Sequence, residues 1–123
     1  VGLKRKNYLA YYKIFSTSKY FDIIHENGIN SSFVLPFILK TKYKSYLQEL
    51  RKLLRKNNIE YRIIAGGSIT KHPFYKYFDI KKINKLDNSN YIHNYGFVIG
   101  NHPELMINKI KIISKLMDSI FIK

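Results

Sequence analysis

The sequence predicts an α+β fold: a small three-stranded, largely antiparallel sheet with flanking helices. Amphipathic segments with helical spacing alternate with three short apolar runs, in the order helix, strand, helix, strand, short helix, strand, helix. That order is typical of a small layered domain in which helices cover a sheet. At 123 residues the chain is expected to form a single domain, 1–123, around one core.

The first helix is predicted over 3–15, which contains neither proline nor glycine, and it begins without a capping side chain. Its core face is predicted from helical spacing: Leu3, Asn7, Ala10, Ile14. The run FVLPFIL at 33–39 then predicts a strand. Because Pro36 has no N–H to donate, that strand is expected at the sheet edge or bulged at this residue.

The clearest helix is predicted over 43–57, where apolar residues recur at i, i+3, i+4 and i+7. Alternation over 59–65 predicts a strand that ends at Gly66-Gly67-Ser68. A short helical turn is expected over 72–79, with Pro73 at its first position. Residues 80–90 are lysine-rich and are expected to form a surface loop, followed by one more turn over 91–95.

The last strand is predicted at 97–99 and leads into a C-terminal helix. Asn101-His102 is expected to form the cap region of this helix, with Pro103 in the first turn and Glu104 complementing the helix dipole. Its apolar stripe is predicted from spacing: Met106, Ile110, Ile113, Met117, Ile120.

The formal charge of +14 arises from 22 basic against 8 acidic residues. Such a charge suits a polyanion partner, and a free-standing basic module that binds nucleic acid is one alternative function. However, the basic residues are 18 lysines and 4 arginines. Because arginine makes the bidentate phosphate contacts, this composition favours an ordinary solvated surface, and a nucleic-acid partner is not expected.

The chain has no cysteine, so it can form neither disulfides nor thiolate metal sites, and a cytoplasmic location is expected. No apolar run approaches the roughly 18 residues that span a bilayer, so no membrane partner is expected. The four histidines, His25, His72, His93 and His102, lack paired helical spacing and an acidic cluster. A metal site is therefore not predicted.

Three positions are candidates for binding. Arg62 lies in an apolar strand and needs an anionic partner. That partner is a substrate anion in the functional alternative, and in the structural one a carboxylate: Asp79, Asp87 or Glu104. His102 beside Asn101 is predicted at a helix N-terminus, where it either caps the helix or contacts an anion. Ser68 follows Gly66-Gly67, which predicts a tight turn and lacks the spacing of a phosphate-binding fingerprint. No complete catalytic set is present.

Several segments together resemble the C-terminal small domain of the DegT/DnrJ/EryC1/StrS family of pyridoxal-phosphate-dependent enzymes. They are GLKRKNYLAYY, SSFVLPFIL, LQELRKLLRKNNIEYR, IEYRIIAGG, HPFYKYFD and NYIHNYGFVIGNH. The tail looks most like the sugar 3-dehydratase branch. Ile63 and Gly67-Ser68 stand where that branch typically has proline and asparagine.

The resemblance implies the small domain of the type I pyridoxal-phosphate fold, with 1–18 as the helix leading into it and 19–123 as the domain itself. It implies a C-terminal fragment of an enzyme that acts on a nucleotide-linked 4-keto-6-deoxy sugar, by 3-dehydration or amino transfer, in deoxysugar and cell-surface polysaccharide biosynthesis. Pyridoxal or pyridoxamine phosphate would be held upstream, not by this segment, and the parent would be a homodimer.

By the same resemblance, four residues would face the nucleotide-sugar substrate: Arg62, Ser68, Asn101, His102. No catalytic residue is expected on this chain, so in isolation it should be inactive. A third possibility is a remnant or dimerisation piece without a ligand.

Overall fold

The computed structural model describes residues 1–25, 27–79 and 85–122. In order, the described chain contains α1 (Gly2–Phe15), β1 (Phe21–Asp22), β2 (Val34–Leu39), α2 (Leu47–Lys56), β3 (Tyr61–Arg62), α3 (Asp87–Tyr95), β4 (Gly96–Gly100) and α4 (Ile107–Asp118). Short 3₁₀ turns occupy Thr41–Tyr46, Ile64–Gly66, Ile69–Lys71 and Pro73–Tyr77. No helix in this part of the chain has the length and apolar character needed to cross a membrane.

The sheet has the order β1-β2-β4-β3, and all neighbouring strands are antiparallel. The predicted α+β class and antiparallel sheet are therefore confirmed. The described chain forms four strands rather than the three predicted, because Phe21 and Asp22 pair with Leu39 and Ile38 at one end of β2. A strand of two residues is too short to show an alternating sequence pattern.

The core lies between one face of the sheet and the layer formed by α1, α2 and α4. At its centre Phe37 of β2 stacks on its cross-strand partner Phe97 of β4, with ring centroids 5.2 Å apart. Phe15 and Tyr11 of α1 meet the Phe37 ring edge-on at 4.8 and 5.2 Å. Aromatic pairs of this kind contribute about 0.5–1.5 kcal/mol each beyond the area they bury.

The buried face of α1 agrees only in part with the prediction. Asn7 is buried and Ala10 and Ile14 pack partly against the core, whereas Leu3 is 42% exposed. The other buried members are Tyr8, Tyr11 and Phe15, whose rings bury more apolar area and centre the face on themselves.

Pro36 occupies an interior strand, not the predicted sheet edge. β1 extends only alongside Ile38 and Leu39, so it ends before it reaches Pro36. The carbonyl of Pro36 instead accepts a hydrogen bond from the Tyr11 hydroxyl. The missing N–H is thus tolerated because β2 has no strand neighbour on that side at this residue.

The predicted helix over 43–57 is an α-helix only from Leu47. The preceding 3₁₀ turn brings Tyr43 and Tyr46 onto the same ring, Phe121, at centroid distances of 5.3 and 5.1 Å. In a 3₁₀ turn residues i and i+3 are eclipsed, which lets both tyrosines reach one partner.

The predicted stripe of α4 is confirmed, with Met106, Ile110, Met117 and Ile120 buried and Ile113 packed against the core.

The loop predicted over 80–90 is wrong at its C-terminal end, because Asp87–Asn90 form the first turn of α3. Residues 80–84 lie outside the described part of the chain. Asp87 in that first turn complements the helix dipole, a favourable signal that the lysine-rich composition obscured.

The strand predicted over 59–65 is shorter than predicted. It ends at Arg62, and Ala65 has φ of +46° inside the 3₁₀ turn that follows β3.

Candidate functional site

The predicted site residues lie in three different environments. Arg62 and His102 border an open groove, Ser68 is buried in a glycine corner, and Asn101 is buried in a side-chain network. We define the groove as the space between the edge formed by β3 and β4 and the start of α4, and the glycine corner as residues 64–72. The structure therefore does not gather these four residues into a single site on this chain.

The groove has a volume of about 590 Å³. Its floor is apolar and its rim carries charged side chains from both sides. The floor includes Phe33, Val34, Tyr61, Val98, Ile99 and Met106, and the rim includes Glu60, Arg62, His102, Glu104 and Lys109. Such a combination suits a ligand with both an apolar or ring-shaped part and a polar part.

Arg62 is not buried: its side chain is 79% exposed and pairs with Glu60. Its Nε and one terminal nitrogen both donate to Glu60 Oε1, at 3.0 and 2.7 Å. The predicted structural partners Asp79, Asp87 and Glu104 are therefore wrong. Residues two apart on a strand share one face, and Tyr61 takes the core-facing position between them.

The helix N-terminus predicted at Asn101-His102 is wrong, because α4 begins at Ile107. The backbone N–H of His102 donates to Met106 Sδ at 3.2 Å, so residues 102–106 form a connection rather than a helical turn. His102 therefore has no helix-terminal anion site. Its exposed ring lies beside Gly100, where an added Cβ would be 3.1 Å from Nε2.

Glu104 was predicted to complement the dipole of the last helix and instead pairs with Lys109 across 2.7 Å. The hydrogen bond and charge of Lys109 lower the pKa of the Glu104 carboxyl. Both cations on the groove rim that can meet a phosphate, Arg62 and Lys109, are thus held by carboxylates. A ligand anion would have to displace or share these partners.

Asn101 is buried, and its side-chain groups are used inside the protein. Its Nδ2 donates to the carbonyls of Lys4 and Ser32, at 3.0 and 2.8 Å, and its Oδ1 accepts from Asn7 Nδ2 at 3.1 Å. Its substrate contact stays a prediction, and its observed role is to tie the end of β4 to α1.

The glycine corner reverses the chain after β3 through three successive residues with positive φ. They are Ala65, Gly66 and Gly67, at +46°, +77° and +80°. Gly67 also has ψ of −158°, a combination open essentially to glycine alone. The tight turn predicted from Gly66-Gly67 is therefore observed.

His93 of α3 fills the space beside Gly67. Its Nδ1 accepts the backbone N–H of Ser68 at 3.0 Å, so the proton of the neutral ring lies on Nε2. A Cβ added to Gly67 would lie 2.0 Å from this Nδ1. Ser68 is itself buried, with its hydroxyl 3.2 Å from the Thr70 hydroxyl. Its substrate contact also stays a prediction.

Sequence reasoning missed the roles of His72 and His93, and it placed Asn7 on the core face of α1 without its polar partners. The His72 ring bonds the Gly66 carbonyl through Nε2 and lies edge-on to His93 at a centroid distance of 6.1 Å. Because 21 positions separate the two histidines, no helical or strand spacing could indicate the pair. An asparagine at a core position of α1 was the one available signal for Asn7.

Neither a metal nor the cofactor implied by the family resemblance fits the described residues. In the described chain, no group of three or more His, Asp or Glu side chains could hold a metal ion. The cofactor phosphate needs several converging donors, whereas the described residues bring one arginine and one lysine to the groove, Arg62 and Lys109.

No protein-family model matches the chain. It is similar to the GDP-4-keto-6-deoxy-D-mannose 3-dehydratase of Yersinia pseudotuberculosis, with 32% identity over 112 residues, which is 90% of this chain and 28% of that protein. The protein of the same name from Escherichia coli O55:H7 is 29% identical over 118 residues, 95% of this chain and 30% of that protein.

Solved structures agree with these relatives. A GDP-4-keto-6-deoxymannose 3-dehydratase with a trapped PLP–glutamate geminal diamine superposes with a TM-score of 0.87 and 29% identity, covering 94% of this chain and 30% of that one. The Helicobacter pylori aminotransferase PseC shares the fold, with a TM-score of 0.80, 16% identity, and coverage of 98% and 32%.

The chain thus spans about 30% of the length of the relatives it matches. The resemblance predicted from the sequence is confirmed: the relatives are sugar 3-dehydratases, and the chain corresponds to a portion of them. The predicted fold of a domain from a pyridoxal-phosphate-dependent enzyme is confirmed by the same structures.

Proposed function

We propose that this chain is the C-terminal part of a pyridoxal- or pyridoxamine-phosphate-dependent enzyme that acts on a nucleotide-linked 4-keto-6-deoxy sugar. The reaction is 3-dehydration or amino transfer. One observation carries the proposal: nearly the whole chain superposes on the 3-dehydratase structure at 29% identity. The pathway would supply deoxysugars for cell-surface polysaccharide, in the cytoplasm, and the parent would be a homodimer.

In this proposal the chain contributes binding rather than chemistry. The cofactor, held by the rest of the parent, would act as the electron sink, and the protein would orient the sugar and supply electrostatics. Arg62 would turn from Glu60 towards an anionic group of the nucleotide sugar. Its 79% exposed side chain makes this exchange easy, because an exposed ion pair contributes only about 0–1 kcal/mol.

His102 would contact the ligand from the opposite side of the groove. It is exposed, and its ring packs beside Gly100, so the groove reaches it without rearrangement of the core. Asn101 would position His102, because its hydrogen bonds to α1 and to Ser32 fix the backbone that carries that residue. Ser68 would contact the substrate from the glycine corner, where this chain would meet the rest of the parent.

A chimera tests the proposal. The portion of the Escherichia coli 3-dehydratase that matches this chain is replaced by it, and turnover of GDP-4-keto-6-deoxy-D-mannose is measured. The cofactor absorption of the purified chimera reports whether its cofactor-bearing part is intact. A chimera that binds the cofactor and turns over the sugar supports the proposal, and one that binds the cofactor without turnover contradicts it.

Within an active chimera, Arg62→Ala should lower kcat/KM about 10- to 100-fold, the worth of a hydrogen bond to a charged group. Arg55→Ala, which removes an exposed arginine from α2, is the matched control and should leave kcat/KM unchanged. Equal kinetics for the two variants would remove Arg62 from the site.

A free-standing basic module that binds nucleic acid is the second candidate, and it rests on the charge of +14. It predicts binding to any duplex, with an affinity that falls steeply as salt rises. A low-salt mobility-shift assay without a shifted band would exclude it.

A further inference from the structure

The proposed function leaves most of the positive charge unexplained, since only Arg62 and Lys109 among the described lysines and arginines reach the groove rim. Much of the remainder lies on the helical layer. Apart from Lys109, the helices α1, α2 and α4 carry four, four and two basic residues, and zero, one and one acidic residues respectively. The layer covers the core face of the sheet, so its outer surface is a strongly positive face of the domain.

α1 and α4 pack against each other, and each carries a stripe of exposed side chains on the face away from the core. Each stripe has basic residues on either side of an exposed aliphatic side chain. They consist of Arg5, Leu9 and Lys13 on α1, and Lys111, Ile112 and Lys115 on α4. Leu9 is 67% exposed and Ile112 is 65% exposed, although the opposite faces of both helices are buried in the core.

We propose that this outer surface binds an anionic lipid bilayer. The lysine and arginine side chains would meet the phosphate headgroups, and Leu9 and Ile112 would enter the boundary of the acyl chains. Long basic side chains extend their charged ends past an apolar surface, which allows both contacts at once. Each basic residue near an anionic bilayer contributes attraction that adds to that of its neighbours.

The same features distinguish a bilayer from a nucleic acid. A duplex offers phosphates but no apolar layer, so Leu9 and Ile112 would stay exposed at the centre of the contact. Arginine is the residue best suited to bidentate phosphate recognition, yet the two stripes contain three lysines and a single arginine. The expectation of no membrane partner rested on the absence of a spanning segment, and a surface contact needs none.

Vesicle sedimentation tests the proposal with the full 123-residue chain. Vesicles of phosphatidylglycerol mixed with phosphatidylcholine are compared with vesicles of phosphatidylcholine alone. The chain should sediment with the anionic vesicles only, and the bound fraction should fall as salt rises, because salt screens the attraction. Failure to sediment with anionic vesicles at low salt would overturn the proposal.

The double variant Lys111→Glu/Lys115→Glu should weaken vesicle binding about 30-fold or more. The matched control, Lys71→Glu/Lys76→Glu, changes the net charge equally at two exposed lysines outside the helical layer and should bind like the wild type. Equal losses in both variants would mean that net charge, not this surface, attracts the bilayer, and the proposal would fail.

Vesicle sedimentation in the presence of a duplex RNA competitor tells whether the surface prefers nucleic acid or lipid. If the RNA binds more tightly than the vesicles and the Lys111/Lys115 variant abolishes that binding, the surface recognises nucleic acid and the lipid proposal is wrong. If the RNA does not displace the chain from the vesicles, the proposal stands. None of these outcomes depends on the enzyme activity proposed above.

Discussion

Asn7 Nδ2 donates to Asn101 Oδ1 at 3.1 Å, joining α1 to the end of β4 across 94 positions of sequence. Asn7 also donates to the carbonyl of Glu104 at 2.7 Å and accepts the N–H of Met106 at 2.8 Å. Both asparagines are fully buried. The network thus provides partners for the Glu104 carbonyl and the Met106 N–H in the connection between β4 and α4.

Asn101→Ala should destabilise the fold by about 2–3 kcal/mol, because it removes three buried or partly buried hydrogen bonds, from Asn101 to the Lys4 and Ser32 carbonyls and from Asn7 to Asn101. Urea denaturation measures the change. Asn108→Ala, at an exposed position of α4, is the control and should change stability by less than about 0.5 kcal/mol. Similar midpoints for both variants would show that the network contributes little.

Gly67→Ala should be much more harmful than Gly66→Ala. Both residues have positive φ, but an added Cβ meets the His93 ring only at position 67, while nothing lies within 4 Å at position 66. The positive φ costs about 1–2 kcal/mol at either position. The ψ of −158° adds to that cost at Gly67. Thermal unfolding of the two variants gives the comparison.

The destabilisation caused by the clash with the His93 ring is measured by making Gly67→Ala in a His93→Ala background. This double variant should recover part of the lost stability, because the clash disappears while the backbone penalty remains. Strict additivity of the two substitutions would contradict the contact.

His93→Asn and His93→Gln should differ in the exchange rate of the Ser68 amide. The Asn Oδ1 occupies the position of the ring Nδ1 and can accept the Ser68 N–H, whereas the Gln oxygen lies one bond further out. Hydrogen exchange measured by NMR should be about tenfold faster at Ser68 in the Gln variant. The amide of Phe97 is the internal reference, and indistinguishable Ser68 rates would contradict the hydrogen bond.

Asp118→Asn should stabilise the protein at pH 7. Partial burial at the C-terminal end of α4 raises the pKa of the Asp118 carboxyl above 3.8. Its ionisation therefore costs folding free energy, and the helix dipole adds to that cost. The gain should be present above the folded-state pKa and should vanish below about pH 3.8.

Glu104→Gln should show the opposite pH dependence, because Lys109 lowers the pKa of Glu104 below 4.5. The ion pair stabilises the fold above that pH, and its contribution is lost as pH falls through the folded-state pKa. Urea midpoints measured from pH 3 to pH 7 therefore should diverge between the two variants as pH rises. Parallel curves would contradict both assignments.

The local patterns predicted much of the fold. Helical spacing located α1, the α-helical part of 43–57 and the buried stripe of α4, because amphipathic periodicity is a property of contiguous residues. The glycine pair predicted the turn after β3, since backbone conformation there depends on the absence of side chains. The segments IEYRIIAGG and NYIHNYGFVIGNH indicated a resemblance to sugar 3-dehydratases, and proteins of that name are the relatives to which the chain is similar.

Tertiary structure decided the rest. Arg62 lies at the end of the two-residue strand β3, where its side chain is exposed and pairs with Glu60. His72 and His93 meet because α3 packs beside the glycine corner, and Asn101 is buried because Asn7 approaches it from α1. Sequence spacing determines which side chains share a face of one element. Only the packing of elements distant in the chain determines which side chains become partners, because those contacts depend on how all the buried surfaces fit together.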